Sequence, residues 1–418
     1  MSYFASPLHD VSAINGTINM PVQIRPRDQA LGDSLSIDVD KVDTMTNSAC
    51  RVGMMPVQKL KFETHLNRAC ENNRLIARCG KVALDHLEIT LKKQWRLGQS
   101  ILLCWAFDPN GLLTIVVPHY FLGNFTSPNH PSGVGEQNED FVRDLISGSR
   151  FKAHTEIFEI ARKLGVAPSF VKLDQALTED DETVAQIDSM IKRYSLGHEE
   201  SRAVVLFDIA DFSLFRPFEQ ASQLNSLSYS MNSAYSKLKR EGIEVNFART
   251  TTGDGYYVWN RDLGAFPNAD LLTFFLLVLI DNAVAREKSQ FGSVPTLRSA
   301  FHIGSHYELS QAEGINPTVL SYIVGDVTIK LARLVESVPP AGIHVGDFLA
   351  LLPDSDVPAT PAEFLCHSRD ELLDMSGIRV DEDRLTKIHF QPWSAGQPDE
   401  RLIEVTDKHG LSQSAHSV

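Results

Sequence analysis

At 418 residues with 43% hydrophobic content, the chain is long enough for two or three domains of about 150 residues, each with its own buried core. Its formal net charge of −14 argues against a nucleic-acid partner, because duplex nucleic acid is held by clustered Lys and Arg that neutralise phosphates, whereas a nucleotide pocket needs only a few local cations. Five cysteines (Cys50, Cys70, Cys79, Cys104 and Cys366), odd in number and without a CxxC pair, indicate neither a disulfide framework nor a structural zinc site.

The N-terminal MSYFASPLHDVSAINGT has no basic segment followed by an apolar core, so it does not read as a signal peptide, and a cytoplasmic protein is expected. Residues 1–60 are mixed in polarity around an Asn15-Gly16 turn signal and read as irregular or short-stranded. ILLCWAF and LLTIVVP flank the turn former DPNG, which predicts a hairpin over 101–118. Residues 124–140 read as a loop. A helix is predicted over 140–164, with Phe141, Leu145, Ile157, Ile160 and Leu164 on one face and Gly165 at its end. The acidic DQALTEDDET at 174–183 reads as a linker, and Ile187, Met190, Ile191 and Tyr194 form the stripe of a helix within 184–198, ended by Gly197.

From residue 203 the texture changes to alternating strand and helix. AVVLFDI reads as a buried strand, followed by an amphipathic helix with Leu224, Leu227, Met231, Tyr235 and Leu238 on one face and Gly242 as its stop. A strand-turn-strand surrounds TTTGDGYYVW. The run LLTFFLLVLI at 271–280 is too short for a membrane span, which needs roughly 20 residues, and is expected to be a buried core helix over 270–286. A strand at 297–306, a helix at 326–337 and a strand at 342–348 complete the order. This pattern predicts an α+β fold with helices packed on one antiparallel-rich sheet, preceded by a mixed α/β region over 1–180.

The chemistry centres on two carboxylates. Asp208 closes the run AVVLFD, where a strand leaves the core, and Asp254 lies in Gly253-Asp254-Gly255 between two β-rich runs. Singly, each is an ordinary turn residue. Together, from adjacent strand ends, they make a hard oxygen site suited to Mg²⁺ or Mn²⁺. Two such ions bridging a triphosphate would activate a ribose 3′-hydroxyl for in-line attack on the α-phosphorus.

FDIADFSLF resembles the FxDIxGFTxL segment of class III nucleotidyl cyclases, and TTGDGYYVW resembles their KxxGDxxMAV hairpin. LRSAFHIGSH is similar to their RxGIHxG strand, and YIVGDVTIKLARLVESVPPAGIHV to their DxxGxxVNxAARLexxAxxGxIlV segment. The resemblance implies a ferredoxin-like catalytic domain over 201–418, with Asp208, Asp254 and the carbonyl of Ile209 as ligands to two metal ions and Phe212 among the substrate contacts. It implies that Arg333 stabilises charge on the α-phosphate. The family's asparagine four residues earlier is Ile329 here, a departure for which Lys330 is the candidate replacement. A family lysine that binds triphosphate corresponds to Lys408.

At the two positions where adenylyl cyclases read the base with Lys and Asp, and guanylyl cyclases with Glu and Cys, this chain has Thr250 and Tyr322. Purine edges would be left unpaired and a bulky Tyr322 would shrink the pocket, so a pyrimidine base is expected, with Arg249 a candidate donor to its O2 or to phosphate. FEQASQLNSLSYSMNSAYSKLKREG and GDGYYVWNR resemble the pyrimidine cyclases of the bacterial Pycsar anti-phage system. That resemblance implies cyclic UMP or cyclic CMP as a messenger to a separate effector, with UTP slightly favoured. The class III resemblance implies a head-to-tail homodimer, with the helix 184–198 at its neck, in which Arg333 of one subunit meets Asp208 of the other. An adenylyl cyclase with an unorthodox base pocket and a non-catalytic nucleotide sensor are the rival readings.

Overall fold

The computed structural model describes residues 82–129, 133–173, 177–290, 292–312, 319–375, 379–380, 383–385, 387–388, 390, 402–406 and 412–418. The chain divides into Met1–Leu75 and Ile76–Val418. The expected irregular start and Lys408 lie outside the described residues.

Helix α1 (residues 82–95) leads into the hairpin β1 (Ser100–Asp108) and β2 (Gly111–Pro118), which pairs with β3 (Ser169–Lys172) in a three-stranded antiparallel sheet. Between β2 and β3 run α2 (Phe121–Phe125), α3 (Gly135–Ile146) and α4 (His154–Leu164). The loop expected over 124–140 is therefore shorter, and the single helix expected over 140–164 is two. Arg150 causes the break. It is 2% exposed, its backbone N–H donates to Asp188 Oδ1 at 2.6 Å, and its guanidinium donates to the carbonyls of Leu145 and Leu196, both at 3.1 Å. A continuous helix could not deliver those bonds.

Helix α5 (Asp181–Lys192) begins inside the expected acidic linker because Asp180 caps it, accepting from the Thr183 N–H at 2.8 Å. It ends at Lys192, short of the expected boundary at 198. Its stripe is spent within the chain, with Ile187 and Ile191 fully buried against Trp95, Leu102 and Trp105. Strand β4 (Leu196–Ile209) starts seven residues earlier than the apolar run implies, since the polar GHEES segment is already paired with a neighbour.

The second sheet is eight-stranded, and Asp208 lies near the end of one of its strands. After β4 come α6 (Pro217–Arg240), β5 (Phe247–Thr251), β6 (Gly255–Asn260), α7 (Ala265–Lys288), β7 (Leu297–Ala312), β8 (Val319–Val324), α8 (Asp326–Ser337) and β9 (Ile343–Gly346). Two small ladders, β10 (Ala350–Leu351) with β11 (Pro358–Ala359) and β12 (Arg379–Val380) with β13 (Asp383–Arg384), bracket α9 (Pro361–Asp374), and β14 (Leu402–Thr406) and β15 (Ser412–Ser417) close the order. The order is β14-β15-β9-β7-β4-β6-β5, with β8 on β7, and every pair is antiparallel except β7 with β9. This is the α+β arrangement.

Alternation along β4 divides the sheet's faces. Ala203, Val205, Phe207 and Ile209 pack under α6, α7 and α9, while Val204 and Leu206 pack under α8. Helix α7 is long and apolar enough to cross a membrane by composition, with a mean hydropathy of 1.6, but 67% of that stretch is buried in this core.

Two core imidazoles make stability depend on pH. His302 and His306, 3% and 1% exposed on β7, are pushed down to about 4 and about 3, first by burial, then by Lys330 for His302 and by Arg202 for His306. In the unfolded chain both titrate near 6.5. Their contribution is therefore complete above about pH 6.5 and is lost as pH falls toward 4, because only the unfolded state takes up the protons. For His302 the gap corresponds to about 3 kcal/mol. Urea unfolding at pH 7.5 and pH 4.5 is expected to show a drop of at least that size, and equal midpoints would refute it.

Candidate active site

The site is assembled where β4 ends and the β5–β6 hairpin turns. In the β4–β6 ladder Asp208 faces Gly255, and the Ile209 N–H donates to the Asp254 main-chain oxygen at 3.0 Å, so the two aspartates are carried on tied strand ends. The glycines make this possible. A Cβ on Gly255 would lie 1.9 Å from the Phe207 carbonyl oxygen, and Gly253 turns with φ +104°. Thr252 Oγ1 donates to Asp254 Oδ1 at 3.0 Å and fixes that carboxylate.

Asp208 is 7% exposed and lies on the α8 side of the sheet. Burial pushes its carboxyl above the usual range, the nearby charge of Asp254 adds to this, and Arg298 opposes it. Arg298 is directly opposite Asp208 in the β4–β7 ladder, and its Nε donates to Asp208 Oδ2 at 2.8 Å. Arg298 is therefore a further residue of the site. The arginine was visible in LRSAFHIGSH, but nothing local reveals a partner 90 positions away.

The donor set fits a hard divalent cation: two carboxylates and the Ile209 carbonyl, in a half-dry setting where added positive charge relieves Asp208. Among the described residues there is no cluster of three or more His, Cys, Asp and Glu. The remaining ligands would therefore be phosphate oxygens and water, the usual way a protein holds Mg²⁺ with substrate.

Helix α8 carries the cations. Lys330 and half-buried Arg333 are one turn apart; Lys330 Nζ pairs with Asp326 at 2.9 Å, and its carbonyl accepts from Gln413 Nε2 at 3.0 Å. Ile329 is 50% exposed. Phe212 lies in the turn after β4, packed against the α6–α7 core, and its carbonyl accepts from Gln220 Nε2 at 3.1 Å, so its ring is a core contact.

The base-reading candidates are not brought together as expected. On β5, Ala248 is buried under α8, and alternation puts Thr250 on that same face. Arg249 therefore points to the other side, where its Nη1 donates to Ser228 Oγ on α6 at 3.2 Å and its guanidinium lies 5.5 Å from the Tyr256 ring. Arg249 and Thr250 therefore point to opposite faces of the sheet. Tyr322 is half-buried on β8. Its neighbour Ile323 takes the position in the α8-side core, so the Tyr322 ring leaves on the opposite face.

Tyr257 is a further residue on the Thr250 face. It is opposite Thr250 in the β5–β6 ladder, packs on the α8 side, and donates from Oη to the Thr328 carbonyl of α8 at 3.2 Å.

No protein-family model matches the chain, and no curated protein does either. Among solved structures, the chain is similar to the guanylate cyclase domain of RhGC from Catenaria anguillulae in complex with GTP, at 17% identity and a TM-score of 0.28 over 36% of this chain and 79% of that one. It is similar to a dimeric guanylyl cyclase domain of the RhoGC fusion protein from the aquatic fungus Blastocladiella emersonii (18%, TM-score 0.29, covering 36% and 80%). It is also similar to the adenylyl cyclase CyaB from P. aeruginosa (12%, TM-score 0.28, covering 39% and 93%).

Proposed function

We propose that this chain is a nucleotidyl cyclase that converts a pyrimidine nucleoside triphosphate, UTP in preference to CTP, to the 3′,5′-cyclic nucleotide and pyrophosphate. The observation that carries the reading is the pair Asp208 and Asp254 on tied strand ends, with Arg298 already seated on Asp208. Two Mn²⁺ or Mg²⁺ ions on Asp208, Asp254 and the Ile209 carbonyl would supply a more acidic 3′-hydroxyl and neutralise the triphosphate. The bond from O3′ to the α-phosphorus forms as the bond to the β-phosphate oxygen breaks.

The chain's own groups position and stabilise. Arg298, once its hold on Asp208 is relaxed, is a bidentate donor beside the anionic tail. Arg333 neutralises charge that grows on the α-phosphate, with Lys330 one turn away in place of the missing asparagine. Arg333 of one subunit serves the aspartates of the other in a head-to-tail homodimer, so each site takes residues from both copies.

Thr250 supports the pyrimidine assignment, since a short hydroxyl there does not provide the paired groups that read a purine. The sequence likeness over residues 218–242 and 253–261 supports a messenger role in anti-phage defence, acting through a separate effector that responds to the cyclic nucleotide.

Incubation of the purified chain with each of the four NTPs and Mn²⁺, with products resolved by mass spectrometry, is expected to yield cyclic UMP above cyclic CMP and little purine product. Preferred turnover of ATP would replace the pyrimidine assignment with an adenylyl cyclase. The exposed Ile329 favours a second reading, a nucleotide-binding sensor without catalysis. Tight NTP binding with no cyclic product would decide for it.

A further inference from the structure

We infer that Tyr257 sets the width of the base site and is a specificity-determining residue of the reaction, an inference that rests on the cyclase reading above. Three observations converge on this side chain. It faces the α8 side of the sheet, as Thr250 does, and is directly opposite Thr250 in an antiparallel ladder, where Cβ atoms stand about 5 Å apart. Whatever meets the Thr250 hydroxyl also meets the Tyr257 ring. Its hydroxyl is anchored on the Thr328 carbonyl at 3.2 Å, in the first turn of the helix that carries Lys330 and Arg333. It also lies three residues beyond Asp254, on the strand that opens at Gly255.

The ring therefore reaches from β6, beside Thr250, to the cationic helix of the same subunit, where its hydroxyl holds it. A Tyr on an open surface swings aside to admit a larger ligand, but this one would have to break its bond to α8 and leave a packed core. A monocyclic base at Thr250 leaves the ring in place. A bicyclic base needs the volume the ring fills. With Tyr322 turned to the other face of β8, Tyr257 is a large side chain on the same face as Thr250.

The test compares the full-length chain with Tyr257→Ala and Tyr257→Phe, measuring kcat and KM for UTP, CTP, ATP and GTP with Mn²⁺, alongside each protein's unfolding midpoint. Tyr257→Ala is expected to lower the pyrimidine-to-purine ratio of kcat/KM at least about tenfold, mainly by gaining purine turnover. Tyr257→Phe keeps the ring and loses the anchor, so the order of bases should persist while KM rises. If Tyr257→Ala does not fold, Tyr257→Val, which suits a strand, carries the same comparison. An unchanged ratio in a folded variant overturns the inference. A wild-type chain that prefers ATP refutes the pyrimidine reading alone, since a shift in the ratio on truncation still assigns Tyr257 to the base.

Discussion

Asp208→Asn is expected to lower turnover by roughly 10³-fold or more with little change in fold. Asparagine is isosteric and still accepts from Arg298, so the strand end keeps its shape, but a neutral amide neither holds a divalent cation as a carboxylate does nor shares its charge with Asp254. Arg333→Ala is expected to fail for a different reason, loss of a cation on the α-phosphate. Mixing the two inactive proteins separates them. If each site takes its aspartates from one subunit and its arginine from the other, an equal mixture forms about half heterodimers, each with one intact site of two, and recovers about a quarter of wild-type activity. Co-expression with two affinity tags, followed by a cyclase assay on the doubly captured fraction, measures this. No recovery in a proven heterodimer would place both residues in the same subunit's site.

Arg202→Ala is expected to cost about 3 kcal/mol or more of stability. Arg202 is 2% exposed on β4, and its Nη1 lies 2.8 Å from Glu308 Oε2 and donates to His306 Nε2 at 3.2 Å, while Nη2 donates to the Arg261 carbonyl at 3.2 Å. Glu199 is 4.0 Å away, its carboxyl raised chiefly by burial. Removing the cation leaves two half-buried carboxylates without their counter-charge, the case in which breaking a buried pair costs far more than making it contributes. Arg202→Met combined with Glu308→Gln removes charge from both sides and should recover most of the loss. Urea unfolding near neutral pH reads both variants. A single-variant loss under about 1 kcal/mol would show that water reaches the cluster and screens it.

The parts of the fold governed by local rules were legible in the sequence. Helix α8 runs over the predicted span of 326–337, and the all-round apolar α7 is buried as its composition demands. What escaped depends on distant partners. The polar start of β4 is a strand because β7 pairs with it, and residues 147–153 leave helical geometry because Arg150 reaches Leu196. At the site, the tied aspartates follow from strand-end position and turn chemistry. Arg298 could not be paired with Asp208 without the ladder register. Arg249 and Thr250 are separated by strand alternation alone, since adjacent strand residues point to opposite faces. Tyr257 carried no local signal beyond its parity with Thr250 across the hairpin.

The strand that ends in Asp208 also contains an irregularity. Before it, Glu199 faces His306; after it, Arg202 faces Gly304, so β4 spends three residues where β7 spends two. That single surplus residue inverts the phase of everything downstream. Without it Asp208 would point into the hydrocarbon beneath α6 and α7, and Phe207 would take its place beside Arg298. Any lineage that lengthens, shortens or exchanges the layer ahead of β4 is thus constrained by parity rather than by length: odd changes between the junction and Asp208 turn the carboxylate inside out, and even ones leave it where it is.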